Sequence, residues 1–190
     1  MELSAEWQRP NALAALAVAA ERGIPSEALD SALRGLTGLE HRSQELGRFG
    51  PASTRVIDNG VSTTPDSTQA ALESAGEAAV VLLIGGQSKE LPLDALVGSG
   101  AGRLAHVVAF GAAAPEFATA FAAAGFQAHQ VPTVEAAVAL GLELAAPGET
   151  LLFSPAGSSF DAYANFQQRA NAFRAALAAS NPRPAPRIEL

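Results

Sequence analysis

The stretch AAVVLLIGG, residues 78–86, decides the fold class. It is a continuous apolar run of strand length, closed by a glycine pair. Such a run reads as a strand buried on both faces, the habit of parallel sheets covered by helices. Working outward, TRVIDNG (54–60), LAHVVAFG (104–111), FQAHQVPT (126–133) and ETLLFSPA (149–156) read as further strands. Between them PDSTQAALESAG (65–76), APEFATAFAAAG (114–125) and TVEAAVALGLELAAPG (133–148) are helical in period. Pro65 suits a first helical turn, and Asp66 favours the positive end of the same helix. A longer helix is expected from Phe160 to about Ala179. Alternation of this kind predicts an α/β fold: a mainly parallel sheet with helices on both faces.

The alternation begins only near Arg48. Before it, PNALAALAVAAERGIPSEALDSALRGL (10–36) reads as two short helices, broken at Gly23, reopened by Pro25 and Ser26, and stopping near Gly35. Two short helices cannot bury a core alone, so this pair is expected to be the tail of a larger unit, with an apolar face seeking a partner. The organisation expected is therefore 1–38 for the helical remnant, 39–180 for the sheet domain and 181–190 for a loose tail.

Bulk properties exclude several function classes. A net charge of −7, with 19 acidic residues against 12 basic ones, is opposed to general nucleic-acid binding. The absence of cysteine removes disulfides, thiolate metal sites and cysteine nucleophiles. The N-terminal stretch lacks the order of a signal peptide, and no apolar run reaches the roughly 20 residues of a membrane span. A cytoplasmic protein without membrane partners is the expectation. His41, His106 and His129 are far apart in sequence and suggest no metal site.

Ligands of open α/β sheets bind beyond the carboxyl ends of the strands. The segments that follow strands are DNGVSTT (58–64), GGQSKEL (85–91), FGAAAPE (110–116) and SPAGSSFD (154–161). The third residue past the glycine pair is Lys89, the only lysine in the chain. Ser62, Thr63 and Thr64 precede one expected helix; Ser154, Ser158 and Ser159 precede another. Hydroxyls and free N–H groups at helix starts form anion sites, although capping is the commoner use of each such residue. A compact ammonium with two hydroxyl-bearing loops at one sheet edge could grip a small carboxylate; the alternative for Lys89 is a solvated loop cation. Neither a phosphate loop nor a dinucleotide fingerprint is present, and GSGAG (98–102) reads as a flexible loop.

Several segments together resemble the C-terminal part of the Mur ligases, especially the branch that adds glutamate to UDP-N-acetylmuramoyl-L-alanine. They are PNALAALAVAAERGI (10–24), GLEHR (38–42), STTPDSTQAAL (62–72), LLIGGQSKEL (82–91) and LLFSPAGSSFDAYANFQQRANAF (151–173). The likeness runs in register from Asn11 to Phe173. It implies a C-terminal Rossmann-like domain that receives the amino acid, preceded by the final two helices of the central ATPase domain. The family reaction uses ATP and Mg²⁺ to make an acyl phosphate, which the amine of glutamate attacks. The resemblance places glutamate binding on Thr63, Lys89, Ser159, Phe160 and Phe166. It places Asn11, His41, Arg42 and Asn59 toward the nucleotide, with Asn11 on the adenine. It assigns no catalytic residue to this chain.

Departures fall on the nucleotide side. Val61 stands at a family lysine position, where nonpolar residues also occur, and Asn59 stands at a carboxylate position. Trp7 and Gln8 replace a His and an Asn, and Arg-Ala-Asn (169–171) replaces Arg-Gly-Asn. The resemblance thus implies a glutamate-accepting lobe whose partners are glutamate and the ATPase and UDP-binding lobes, with no tight ATP or Mg²⁺ binding by this chain alone. The alternatives are a standalone, non-catalytic Rossmann-like binding module, or a lobe that uses L-glutamate.

Overall fold

A computed structural model describes residues 9–34 and 39–180. The Trp7 and Gln8 departures, the expected end of the second helix near Gly35 and the tail 181–190 lie outside the described residues. Helices α1 (Arg9–Glu21) and α2 (Ser26–Arg34) precede the sheet. Neither buries any side chain that is described, and Leu13 and Val18 of α1 are exposed apolar residues.

The sheet has six strands: β1 (Gln44–Phe49), β2 (Thr54–Asp58), β3 (Val80–Gly85), β4 (Leu104–Phe110), β5 (Ala128–Val131) and β6 (Thr150–Ala156). Their spatial order is β1-β2-β6-β3-β4-β5. All neighbours are parallel except β1, which runs antiparallel to β2 with a bulge between Glu45 and Gly47. The expected parallel sheet is present, and β1 is an addition to it. Helices α3 (Pro65–Ser74), α4 (Asp94–Ser99), α5 (Ala114–Ala123), α6 (Val134–Leu144) and α7 (Phe166–Ser180) cover both faces.

Alternation along the strands explains why β3 is apolar at every position. Val80, Leu82 and Ile84 enter one core with Leu72 of α3, Leu96 of α4 and Phe117 and Phe121 of α5. Val81 and Leu83 enter the other with Val138 of α6 and Phe173 of α7. Successive strand residues point to opposite faces, and both faces are covered. On the second face Phe153 stacks on Phe173 with ring centroids 4.1 Å apart.

Two local expectations are corrected. α7 starts at Phe166, not Phe160, because the Asn165 side chain accepts from the Gln168 N–H at 2.9 Å and caps the helix there. Residues 98–102 are also no free loop: Gly98 and Ser99 form the end of α4.

The strand order builds the site. The chain runs from β2 through α3 to β3, skipping one place, and β6 returns later to fill it. The carboxyl ends of β2, β6 and β3 are therefore adjacent, although their loops are far apart in sequence.

Candidate functional site

Three loops meet at that edge. The β2–α3 loop carries Thr63, the β3–α4 loop carries Lys89 and the β6–α7 loop carries Ser159. Lys89 Nζ donates to Thr63 Oγ1 at 3.2 Å across 26 residues of sequence. Gln87, two residues before Lys89, exchanges both main-chain hydrogen bonds with Ser158, at 2.8 and 2.9 Å. Lys89 is exposed and Ser159 is buried. The Ser159 hydroxyl has no hydrogen-bond partner among the described residues. Asp161 Oδ2 accepts from the Ala112 N–H at 3.1 Å, tying the same loop to the end of β4. One ammonium and two hydroxyl-bearing loops thus share a rim.

The helix-terminus expectation holds for only one of these loops. Thr64 is the N-cap of α3 in a reciprocal capping box with Ser67, so its hydroxyl is used locally. Thr63, one residue earlier, is left to meet Lys89. Ser158 and Ser159 lie seven and more residues ahead of α7, so no helix N-terminus supports them. Phe160 is 72% exposed, and Phe166 opens α7 half-buried.

Beside Thr63 lies a cleft of about 250 Å³ whose lining includes Arg42, Ser43, Asn59, Val61, Ser62 and Thr64. Lys89 and Ser159 are outside that lining. Asn59 is buried in its floor; its Oδ1 accepts from the Ser43 N–H at 3.2 Å and its Nδ2 donates to Ser154 Oγ at 3.0 Å. Ser154 Oγ donates to Thr68 Oγ1, which also meets Ser62 Oγ at 2.6 Å. An amide at position 59 serves this arrangement because it both accepts and donates, whereas an ionised carboxylate only accepts.

His41 does not face the cleft. Its ring is buried, with Nδ1 2.8 Å from Asp58 Oδ2. The same Asp58 oxygen accepts from Arg174 Nε at 2.7 Å, and Oδ1 accepts from the Gly60 N–H at 2.9 Å. A fully buried carboxylate with three such partners is a structural brace between the β2 end and α7. His41 is part of that brace. Asn11 is exposed on α1 and is likewise absent from the cleft lining. Asp58→Asn is expected to lower the unfolding free energy by about 2 kcal/mol, since it turns one charge-assisted acceptor into a donor facing donors. Urea unfolding checks this; an unchanged midpoint refutes the brace.

Residues 41–157 match the family described as "Mur ligase, glutamate ligase domain". The chain belongs to the Mur ligase family. The UDP-N-acetylmuramoylalanine–D-glutamate ligase of Nitrosospira multiformis is 39% identical over 170 residues, covering 88% of this chain and 35% of that protein. The ligase of the same name from Myxococcus xanthus is 36% identical over 170 residues, covering 86% of this chain and 35% of that protein. The chain therefore spans about a third of the length of these curated relatives. Among solved structures, the UDP-N-acetylmuramate-alanine ligase of Thermotoga maritima superposes with a TM-score of 0.66 at 17% identity, covering 93% of this chain and 39% of that one. The folylpolyglutamate synthase of Mycobacterium tuberculosis gives 0.64 at 15% identity, covering 95% of this chain and 41% of that one. At those identities the likeness is one of fold.

Within this Mur ligase domain, the loops that carry Thr63, Lys89 and Ser159 lie at one edge of the sheet. Sequence reasoning passed over Asp58, Arg174 and Arg169. For Arg169 a signal existed: it is spaced by four from Phe173 and by eight from Leu177, on the buried stripe of α7. A lone arginine on an apolar stripe marks a buried cation.

Proposed function

We propose that this chain is the amino-acid-accepting lobe of a peptidoglycan-precursor ligase, which joins glutamate to UDP-N-acetylmuramoyl-L-alanine. The observation that carries the reading is the Lys89 Nζ to Thr63 Oγ1 contact at 3.2 Å, on the sheet edge that also holds the Ser159 loop. An ammonium held by one hydroxyl keeps two further donors for a carboxylate. Thr63 and Ser159 add neutral donors; Phe160, next to Ser159 in sequence, is exposed and Phe166 is half-buried. The lobe's task is to hold the carboxylates and present the amine of glutamate; positioning of that kind raises rate by making attack effectively intramolecular.

ATP, when bound, supplies the phosphoryl group that activates the acceptor carboxylate. Arg42 and Asn59 on the cleft fit one flank of a nucleotide, the first as a cation for phosphate and the second as a neutral hydrogen-bonding group. Among the described residues no three Asp, Glu or His side chains gather to hold a metal ion. The metal-binding and triphosphate-binding groups of the reaction belong, in this reading, to other lobes. Among the described residues, no helix is long and apolar enough to cross a membrane.

A second reading is a binding module without chemistry. It is favoured by the buried amide of Asn59 at a family carboxylate position, already satisfied by Ser43 and Ser154.

Titration of the chain with D- and L-glutamate, followed by amide NMR and calorimetry, tests the main reading. The expected result is saturable binding of one isomer on the order of millimolar, with shifts confined to residues 59–64, 86–90 and 157–160. No response to either isomer at millimolar ligand ends it.

A further inference from the structure

Arg169 has the largest side chain among those fully buried in this structure. It has no ion-pair partner within bonding distance among the described residues. Its guanidinium instead donates to main-chain carbonyls: Nη1 to Gly157 O at 2.9 Å, Nη2 to Ser62 O at 3.2 Å, and a longer approach of Nη2 to Gly60 O at 3.5 Å. Gly157 is in the β6–α7 loop; Gly60 and Ser62 are in the β2–α3 loop. The third loop also rests on the cation, since a Cβ at Gly86 would stand 2.6 Å from Nη1.

Burial lowers the guanidinium pKa to about 10, against smaller opposing effects of Asp161 and Tyr163, so the group stays charged at neutral pH. Burying such a charge is costly, and a hydrocarbon side chain of similar volume would fill the space beside Phe173 at less cost. Its Nε finds no hydrogen-bond partner among the described residues. What no hydrocarbon can do is bond carbonyls of two loops at once. A lysine cannot copy this either, because its donors radiate from one atom whereas the guanidinium fork spans several ångströms.

We propose that Arg169 is the positioning residue of this site: one buried fork clasps the β2–α3 and β6–α7 loops, with the β3–α4 loop packed on it, so that Thr63, Ser159 and Lys89 address a single ligand. The identity of that ligand rests on the glutamate reading above; the clasp does not. Arg169 touches no ligand itself.

The test uses the full chain with Arg169→Met and Arg169→Lys. Amide hydrogen exchange is followed at Ser62, Gln87 and Ser158 in the three loops, and at Val108 and Ala109 in β4. In Arg169→Met the loop amides are expected to exchange roughly tenfold faster or more, as befits a lost charge-assisted bond, while the β4 amides keep their rates. Glutamate affinity is expected to fall by a similar factor, with Arg169→Lys between the two in both measurements. Equal acceleration of loop and β4 amides means general destabilisation and overturns the clasp. So does loosening confined to α7, or undiminished glutamate affinity in Arg169→Met. If Arg169→Met fails to fold, the loop-to-β4 comparison in Arg169→Lys decides. Should the parent chain bind no glutamate, that reading falls while the exchange comparison still judges the clasp.

Discussion

Lys89→Ala is expected to abolish measurable glutamate binding and to leave the unfolding free energy within about 0.5 kcal/mol of the parent chain. The two halves of this expectation come from the same geometry. Lys89 is exposed, and its only hydrogen bond among the described residues is to Thr63 Oγ1, so the fold loses almost nothing. The ligand loses a charged donor, which is worth about 1.5–3 kcal/mol. At 1.4 kcal/mol per decade this is roughly a 10- to 150-fold change, enough to push a millimolar interaction out of range. Lys89→Arg keeps the charge but replaces a compact ammonium with a longer planar fork, so partial recovery is expected. Because Lys89 is the only side-chain amine in the chain, amine-specific acylation followed by peptide mapping gives an independent reading. Glutamate should protect Lys89. Equal affinity in Lys89→Ala and the parent chain would remove Lys89 from the site and the dicarboxylate reading with it.

The legibility of this fold differed sharply between its elements, for physical reasons. β3 was plain because a strand covered on both faces must be apolar throughout, and Val80–Gly85 is. β1 was not, because QELGRF is an edge strand with a bulge between Glu45 and Gly47; it buries little and needs no apolar pattern. The start of α7 was misjudged although Asn165-x-x-Gln168 is a capping signature: Gln168 N–H meets Asn165, and Gln168 Oε1 reaches back to the Ala164 N–H at 3.2 Å. That error also changed the site's rationale. Ser159 is held by main-chain pairing of Ser158 with Gln87 and by the carbonyl contact of Arg169 with Gly157, not by a helix end. The inward turn of His41 depends on Asp58 and on Arg174, which is 116 residues further along than Asp58, and no local pattern encodes such a triad. Strand order was not legible. Nothing in the composition of TLLFSPA says that β6 slots between β2 and β3 rather than extending the sheet beyond β5.

Gly86→Ala is expected to cost on the order of 4 kcal/mol and to take glutamate binding with it, by a route that does not involve the ligand. Gly86 has φ +100°, a conformation that charges an L side chain about 1–3 kcal/mol. An added Cβ would also lie 2.2 Å from the Ser158 carbonyl oxygen. That neighbour is backbone and cannot rotate away, so relief requires the β3–α4 and β6–α7 loops to separate, with an overpacking cost of about 1–3 kcal/mol more. Separation breaks the reciprocal Gln87–Ser158 bonds and draws Lys89 away from Thr63. The control is Gly98→Ala near the end of α4, where a Cβ meets nothing within 4 Å and φ is not positive. There alanine should be neutral or stabilising by about 0.5–1 kcal/mol, as expected where glycine's backbone freedom is not needed. Urea unfolding of the two variants side by side separates a specific backbone approach from a general intolerance of alanine. A Gly86→Ala midpoint close to that of the parent chain means that the β3 and β6 loops do not meet there, and then no common rim exists for Lys89, Thr63 and Ser159 to share.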